Sequence, residues 1–287
     1  MTMNLMIRTC ANRSRRPVAL PGAAIGCVLV FALGGCSRSS SGGVAPEPST
    51  SPAGSTYTLM QMNLCLSGLA SCYGKVAYPA VVEEAVARIR AARPDAVTFN
   101  EACANDVAWI ARQTGYHLRF ARVIYLGERL RCVQPGGRGL FGNAVLTEAA
   151  IERTDKHDFE TQAGIERRGW LCVTTRVDVG ACTAHLNTRT AVEVAGNDAQ
   201  CAELRTLLAH RAARGAVIFG GDVNRVASCA PRGFWTLTDR SAGQAPGLQH
   251  VYGSEALGSP SAEVVPAAHT DHDVLLVRAH LTTQQAP

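Results

Sequence analysis

Ala216-Val217-Ile218-Phe219-Gly220-Gly221-Asp222-Val223-Asn224 is the stretch on which the fold turns. Its apolar run is too short for a helix and rich in β-branched and aromatic residues, which predicts a buried strand. Two glycines then carry the chain to an acid and a carboxamide. Alone, Asp222 is explained as a turn residue. The same construction recurs, however. Residues 57–64 are strand-like and hold Asn63 near their end; Asp95-Ala96-Val97-Thr98-Phe99-Asn100-Glu101 is β-rich and ends in an acid; residues 181–186 lead to His185 and then Asn187. A fifth cluster, His269-Thr270-Asp271-His272-Asp273, directly precedes another apolar run. Taken singly, Asn63 reads as a turn residue, Glu101 as a helix cap and His185 as a structural histidine. Taken together, side chains at the ends of neighbouring strands can meet on one rim, held rigidly by the sheets.

Outward from these runs, the periodicity predicts helices over 78–93, 104–115 and 193–213. The first stops at Pro94, and the last carries Cys201, Leu204, Leu207 and Leu208 as its apolar stripe. Further strands are predicted over 117–125, 141–147 and 168–177, with late ones at Leu248–Tyr252 and Val274–Val277. Gly-rich turns such as Pro135-Gly136-Gly137 separate them. No internal repeat is visible. The body is expected to be one domain of mixed α and β, starting near residue 56 and reaching the C-terminal residues up to 287.

In chain order, Gln61-Met62-Asn63, Phe99-Asn100-Glu101, Gly142-Asn143-Ala144-Val145-Leu146, Ala184-His185-Leu186, Gly220-Gly221-Asp222-Val223-Asn224 and Thr270-Asp271-His272 resemble the endonuclease/exonuclease/phosphatase superfamily, which includes deoxyribonuclease I, exonuclease III and neutral sphingomyelinases. Gln200 and Leu204 also fit its pattern. The resemblance spans residues 57–278. It implies a four-layer α/β/β/α sandwich, two packed mixed β-sheets flanked by helices, with a metal-dependent phosphoesterase site on one edge. It also implies roles. Glu101 is the main ligand of Mg²⁺ or Mn²⁺, with Asn63 beside it and Asp271 as a second-site ligand. Asp222 and Asn224 orient the attacking water and the phosphate. His272 is a general base or phosphate contact, and His185 supports the transition state or leaving group; imidazole suits such work because its pKa lies near neutrality. One position departs from the pattern: Gln249 in Leu248-Gln249-His250-Val251-Tyr252 stands where the family commonly has an Asp that orients the final histidine. A Gln oxygen still accepts an imidazole N–H but lacks the charge that would stabilise an imidazolium, unless Asp239 or Asp273 substitutes.

The N-terminal region sets the compartment. Of 28 basic residues, four (Arg8, Arg13, Arg15 and Arg16) fall in the first 35, so the remainder nearly balances the 23 acidic ones. Bulk charge therefore names no partner. A basic stretch, the short apolar run Gly26–Leu33 and Leu33-Gly34-Gly35-Cys36 read as a secretory signal over 1–35, resembling the lipobox of bacterial lipoproteins. Cys36 would then carry the lipid, and the membrane would be met only through it. Residues 36–55 are rich in Ser, Gly and Pro and are expected to act as a linker. Eight cysteines follow: Cys65, Cys72, Cys103, Cys132, Cys172, Cys182, Cys201 and Cys229. An even number in an exported chain predicts four disulfides, and the absence of any CxxC pair argues against zinc. Proximity favours Cys65–Cys72 and Cys172–Cys182, leaving Cys103–Cys132 and Cys201–Cys229.

Substrate is less legible. Export argues against intracellular repair, and aromatics are only 6% of residues, with no adjacent pair except Phe234-Trp235 to suggest an aromatic hairpin suited to a membrane. Arg122, Arg129, Arg131, Arg138 and the Arg167–Arg168 pair are candidates for a phosphate-backbone groove or an ordinary solvated surface. The expectation is an exported or surface-anchored monomer that hydrolyses phosphodiesters of DNA or RNA. The alternatives are a phosphomonoesterase, a sphingomyelinase-like lipid-headgroup phosphodiesterase, and a lipoprotein that binds a phosphorylated ligand without turnover.

Overall fold

Alternation along the first strand shows how the layers arise. In β1 (Thr56–Asn63), Met60 and Met62 pack into a helix-facing core, whereas Tyr57 and Leu59 pack into a second core on the opposite face. Successive strand residues point to opposite faces, so a strand buried on both sides reads as nearly continuous apolar sequence. A computed structural model of the chain describes residues 54–240 and 247–282. These lie within one compact unit, Glu47–Pro287. The signal and most of the linker expected over 1–55 fall outside the described residues. Among the described residues, no helix is long and apolar enough to cross a membrane.

One six-stranded sheet runs in the order β14 (Leu257–Val265), β15 (Val274–Leu281), β1, β2 (Ala96–Cys103), β6 (Phe141–Thr147) and β3 (His117–Arg122). The other runs β12 (Trp235–Thr238), β13 (Gln249–Gly253), β11 (Ala216–Asp222), β10 (Val179–Ala184), β9 (Gly169–Thr175) and β7 (Ile151–Asp158). Both are mixed, because β1 pairs parallel with β2 and β10 parallel with β11. Helices α1 (Ala80–Ala92) and α2 (Ala104–Thr114) share a core with the first sheet; α3 (Val194–Ala212) shares one with the second; a third core lies between the sheets. This is the four-layer sandwich expected from the sequence. Helix ends follow local chemistry: α1 closes on Arg93 in a left-handed conformation just before Pro94, and α2 on left-handed Gly115.

Helix bounds agree with the sequence reading to within two residues. The strand expected over 117–125 instead breaks at Val123, and Ile124–Tyr125 (β4) leaves the large sheet. It pairs with β5 (Glu128–Arg129) and β8 (Glu166–Arg167) in a separate three-stranded sheet. β5, β7, β8, β12 and β14 were not foreseen. β7 is almost wholly exposed and has no alternating apolar pattern to reveal it. Its single-sided backbone pairing with β9 holds it as a charged edge strand.

The cysteines form the four pairs Cys65–Cys72, Cys103–Cys132, Cys172–Cys182 and Cys201–Cys229. Cys172 and Cys182 sit opposite each other on antiparallel β9 and β10. Mass spectrometry of the natively exported protein, denatured and alkylated without reduction, should find no label on any of the eight. Several labelled cysteines would contradict the oxidised scaffold.

One buried histidine predicts a pH effect. His250 on β13 lies 2.7 Å through Nδ1 from the Tyr252 hydroxyl and 3.1 Å through Nε2 from the Gly247 carbonyl oxygen. A neutral ring satisfies both contacts, and burial lowers its pKa from 6.5 to about 4. The unfolded chain therefore takes up a proton here before the native one does. This histidine's contribution is complete above about pH 6.5 and is lost as pH falls toward 4. In urea unfolding, the stability gap between wild type and His250→Gln should shrink by about 2 kcal/mol from pH 7.5 to pH 5. A gap independent of pH would contradict it.

Candidate active site

The inter-sheet layer changes character along its length. At one end Leu59, Val173, Ile218, Val251 and Leu275 fill it. At the other, the same alternation brings in Gln61 and Asn63 from β1, Thr98 and Asn100 from β2, and Asp222 from β11, all buried. Gly220 allows the close approach. A Cβ there would lie 2.4 Å from Thr98 Oγ1 and 2.7 Å from Leu59 Cδ2, so a larger residue would push the sheets apart.

Asn100 joins the two sheets. Its Oδ1 accepts from the Asp222 backbone N–H (2.7 Å) and from Gln61 Nε2 (2.9 Å), and its Nδ2 donates to Asn143 Oδ1 (3.0 Å) and the Ala184 carbonyl oxygen (3.2 Å). Regular alternation would send the next residue, Glu101, to the far face. Instead the β2–β6 register shifts between Phe99 and Ala102, and Glu101 takes φ +52°. This bulge with a left-handed non-glycine residue directs two successive side chains toward the same rim, and such backbone cost collects at functional sites.

Asn63 Nδ2 donates to both Glu101 Oε1 (2.9 Å) and Asp222 Oδ2 (3.0 Å). Its Oδ1 accepts from the Cys65 N–H at 3.0 Å, so its nitrogen lies between the two carboxylates. His185 follows β10 and bridges to Asp222 in parallel. Its Nε2 is 3.9 Å from Glu101 Oε1, 3.8 Å from Asp222 Oδ2 and 3.0 Å from the Asn224 carboxamide nitrogen. Asn224 is left-handed, and its N–H donates to Asp222 Oδ1 at 2.9 Å. His272 enters from the loop before β15, with Nε2 3.6 Å from Asp222 Oδ2. Thus Asn63, Glu101, His185, Asp222, Asn224 and His272 meet in one place. Asp271, next to His272, has a buried Oδ1 without a partner, and among the described residues no hydrogen bond or ion pair joins it to Glu101 or Asp222.

Gln249 does not reach His272. Its Nε2 donates to Asp239 Oδ2 (3.2 Å) and the Asp273 carbonyl oxygen (2.6 Å), while its Oε1 accepts from Gln61. His272 Nδ1 is left buried without a partner. Neither Asp239 nor Asp273 fills that role by a direct hydrogen bond among the described residues.

Of the six candidate arginines, Arg122, Arg129, Arg131 and Arg167 are exposed, and Arg138 and Arg168 are buried. Arg138 is buried and paired with Asp106 at 3.0 Å, so it lines no groove. Arg168 is buried in the site itself, with Nη1 donating to His185 Nδ1 (2.7 Å) and Nη2 paired with Glu166 Oε2 (2.8 Å). Its position at the mouth of a strand that ends on this rim was the available signal. Because guanidinium only donates, His185 Nδ1 accepts from Arg168, while the Asn224 carboxamide nitrogen faces Nε2 at 3.0 Å. Burial foremost, then the Arg168 charge, holds the His185 pKa well below its usual value.

The donor set suits a cation. Ligand atoms of Glu101, His185 and Asp222 all lie within 4.8 Å of one another. Burial, with the Asp222 charge adding to it against the Asn63 bond and Arg168, raises the Glu101 pKa to about 7. Two crowded carboxylates, Asp222 buried and Glu101 partly buried, match a hard divalent ion. Glu101, Arg168, His185, Asp222, Asn224 and His272 are among the residues that line a cavity of about 300 Å³.

The architecture is shared with solved structures. The endonuclease/exonuclease/phosphatase from Beutenbergia cavernae aligns at 20% identity and TM-score 0.59, covering 79% of this chain and 72% of that one. The human Nocturnin catalytic domain with bound sulfate anion aligns at 14% and 0.60, covering 79% and 94%. D. rerio TDP2 complexed with single strand DNA product aligns at 12% and 0.53, covering 80% and 100%. No curated protein matches the chain in sequence. The model of the Endonuclease/Exonuclease/phosphatase family matches residues 72–272, well over half of the chain and every site residue except Asn63. The chain accordingly belongs to the endonuclease/exonuclease/phosphatase family, whose members are phosphoesterase hydrolases.

Proposed function

We propose that this chain is a divalent-metal-dependent phosphodiesterase acting on nucleic acid outside the cytoplasm. The observation that carries the reading is the convergence of Glu101, Asp222, His185 and His272 in one buried acidic cluster. Glu101 and Asp222 would hold Mg²⁺ or Mn²⁺, with Asp271 as a candidate for a second ion. Such an ion supplies Lewis-acid neutralisation of phosphate charge and lowers the pKa of water. Asn63 keeps both carboxylates in place. Arg168 fixes the His185 ring through Nδ1, so that Nε2 faces Glu101 and Asp222, and Asn224 lies beside it. His272 exchanges a proton at Nε2 beside Asp222. Nucleic acid is supported by the ordered motifs and by the single-strand product described for D. rerio TDP2. The basic-apolar leader ending at Cys36, with four disulfides, supports an exported and lipid-anchored monomer.

The test is cleavage of plasmid and single-stranded DNA with Mg²⁺. Cleavage abolished by EDTA and restored by excess Mg²⁺ or Mn²⁺ is expected. Intact nucleic acid beside hydrolysis of a small phosphomonoester would replace this reading with a phosphomonoesterase. Absence of any turnover, with wild type equal to Glu101→Ala, would leave a binding protein.

A further inference from the structure

Besides its charged groups, the cavity has lining residues of different chemistry. Leu69, Ala70, Tyr125, Leu130 and Phe141 form an apolar wall beside Glu101 and Arg168. Neither the phosphate nor a cation uses such a surface. The wall is also built with some care. Tyr125 lies on the two-residue strand β4, directly opposite Glu166 on β8, and Glu166 pairs with Arg168, which in turn holds His185. Leu130 is fixed by backbone bonds to Val123 (3.2 Å) and Phe141 (2.9 Å). The Cys65–Cys72 bridge closes the loop bearing Leu69 and Ala70, and the Cys103–Cys132 bridge anchors the segment next to Leu130. The Val133 N–H donates to the Ser67 carbonyl oxygen at 2.9 Å and joins these two segments.

We infer that this wall is a nucleoside subsite, and that the protein acts on unpaired nucleotides of single-stranded nucleic acid. The inference rests on the phosphodiesterase reading and adds the form of the substrate. The wall and the charged groups line one cavity of about 300 Å³, so a single nucleotide can meet both. The half-buried Tyr125 offers a ring face, and bases stack on such faces irrespective of sequence. Inside a duplex both faces of a base are already stacked. A paired nucleotide would have to leave the helix before its base met Tyr125 while its phosphate met Glu101 and Arg168.

The test uses the full-length protein, Mg²⁺, a lysophospholipid and three nucleic-acid probes: a single-stranded oligonucleotide, the same strand in a duplex, and a strand of stable tetrahydrofuran abasic residues. The single strand should be cleaved with kcat/KM at least tenfold above the duplex. Tyr125→Ala should raise KM for the single strand about tenfold with kcat within twofold, and Tyr125→Phe should restore wild-type KM. Wild type should cleave the abasic strand with the raised KM, and Tyr125→Ala should add nothing further on that probe. Equal handling of all three probes by wild type and Tyr125→Ala would overturn the inference alone. Preferred turnover of a lysophospholipid, lowered by Tyr125→Ala, would overturn it in favour of a lipid substrate. Failure to cleave any strand, abasic included, would remove the phosphodiesterase reading and the inference with it.

Discussion

Replacing Glu101 by Gln is expected to lower kcat by about 10³-fold or more with Mg²⁺ present, while the fold persists. The shape is nearly unchanged, and a Gln oxygen still accepts from Asn63 Nδ2, which now donates 2.9 Å to Glu101 Oε1. What disappears is one of the two negative charges that make this corner attractive to a hard cation. Removing electrostatic stabilisation of developing phosphate charge costs factors of this order. Stability should move the other way. Glu101 is partly buried and crowded by Asp222 in the metal-free protein, so its neutral replacement should melt in EDTA at the same or a higher temperature. Steady-state kinetics and a thermal melt together test both statements. A large activity loss with collapsed secondary structure would make Glu101 merely structural.

His272→Ala should also be severe, about 10²- to 10⁴-fold in kcat, the range typical of a lost proton-transfer group. Its signature should differ. His272 meets the cluster only through Nε2, 3.6 Å from Asp222 Oδ2, and its ligand atoms are not in the Glu101, His185 and Asp222 group. Metal affinity, measured by titration calorimetry with Mn²⁺, should therefore change by less than threefold, whereas Glu101→Gln should weaken it by at least tenfold. Equal loss of Mn²⁺ binding in both variants would make His272 a ligand instead of a proton-handling group. Because Gln249 is engaged by Asp239 and the Asp273 carbonyl, a Gln249→Asp change would not restore a partner to His272. It would set a second carboxylate against Asp239.

The site was legible because its chemistry sits at the ends of strands whose apolar cores are readable. Asn63, Glu101, His185, Asp222 and His272 each border a run that buries both faces, and period-two alternation then dictates which rim they share. What escaped was whatever depends on non-local pairing. β7 and β14 are edge strands held by backbone ladders, and their side chains carry no alternation. Arg138 and Arg168 look alike in sequence. Only the meeting of α2 with the 132–138 segment, and of β8 with β4, buries one against Asp106 and the other against Glu166 and His185. The bulge that turns Glu101 inward is likewise invisible until β6 pairs with β2. Gln249 illustrates the converse, a visible departure whose consequence depended on Asp239, ten residues earlier on the neighbouring strand segment.

The central claim is that Glu101 and Asp222 form the seat of a divalent ion. Crystals soaked in Mn²⁺ test it through the anomalous signal of the metal. The account predicts a peak about 2.1 Å from a Glu101 carboxylate oxygen, inside the cavity shared with His185 and His272, and its loss in Glu101→Gln. Nucleic-acid cleavage that needs Mn²⁺ while the anomalous peak lies away from Glu101 and Asp222 would contradict it.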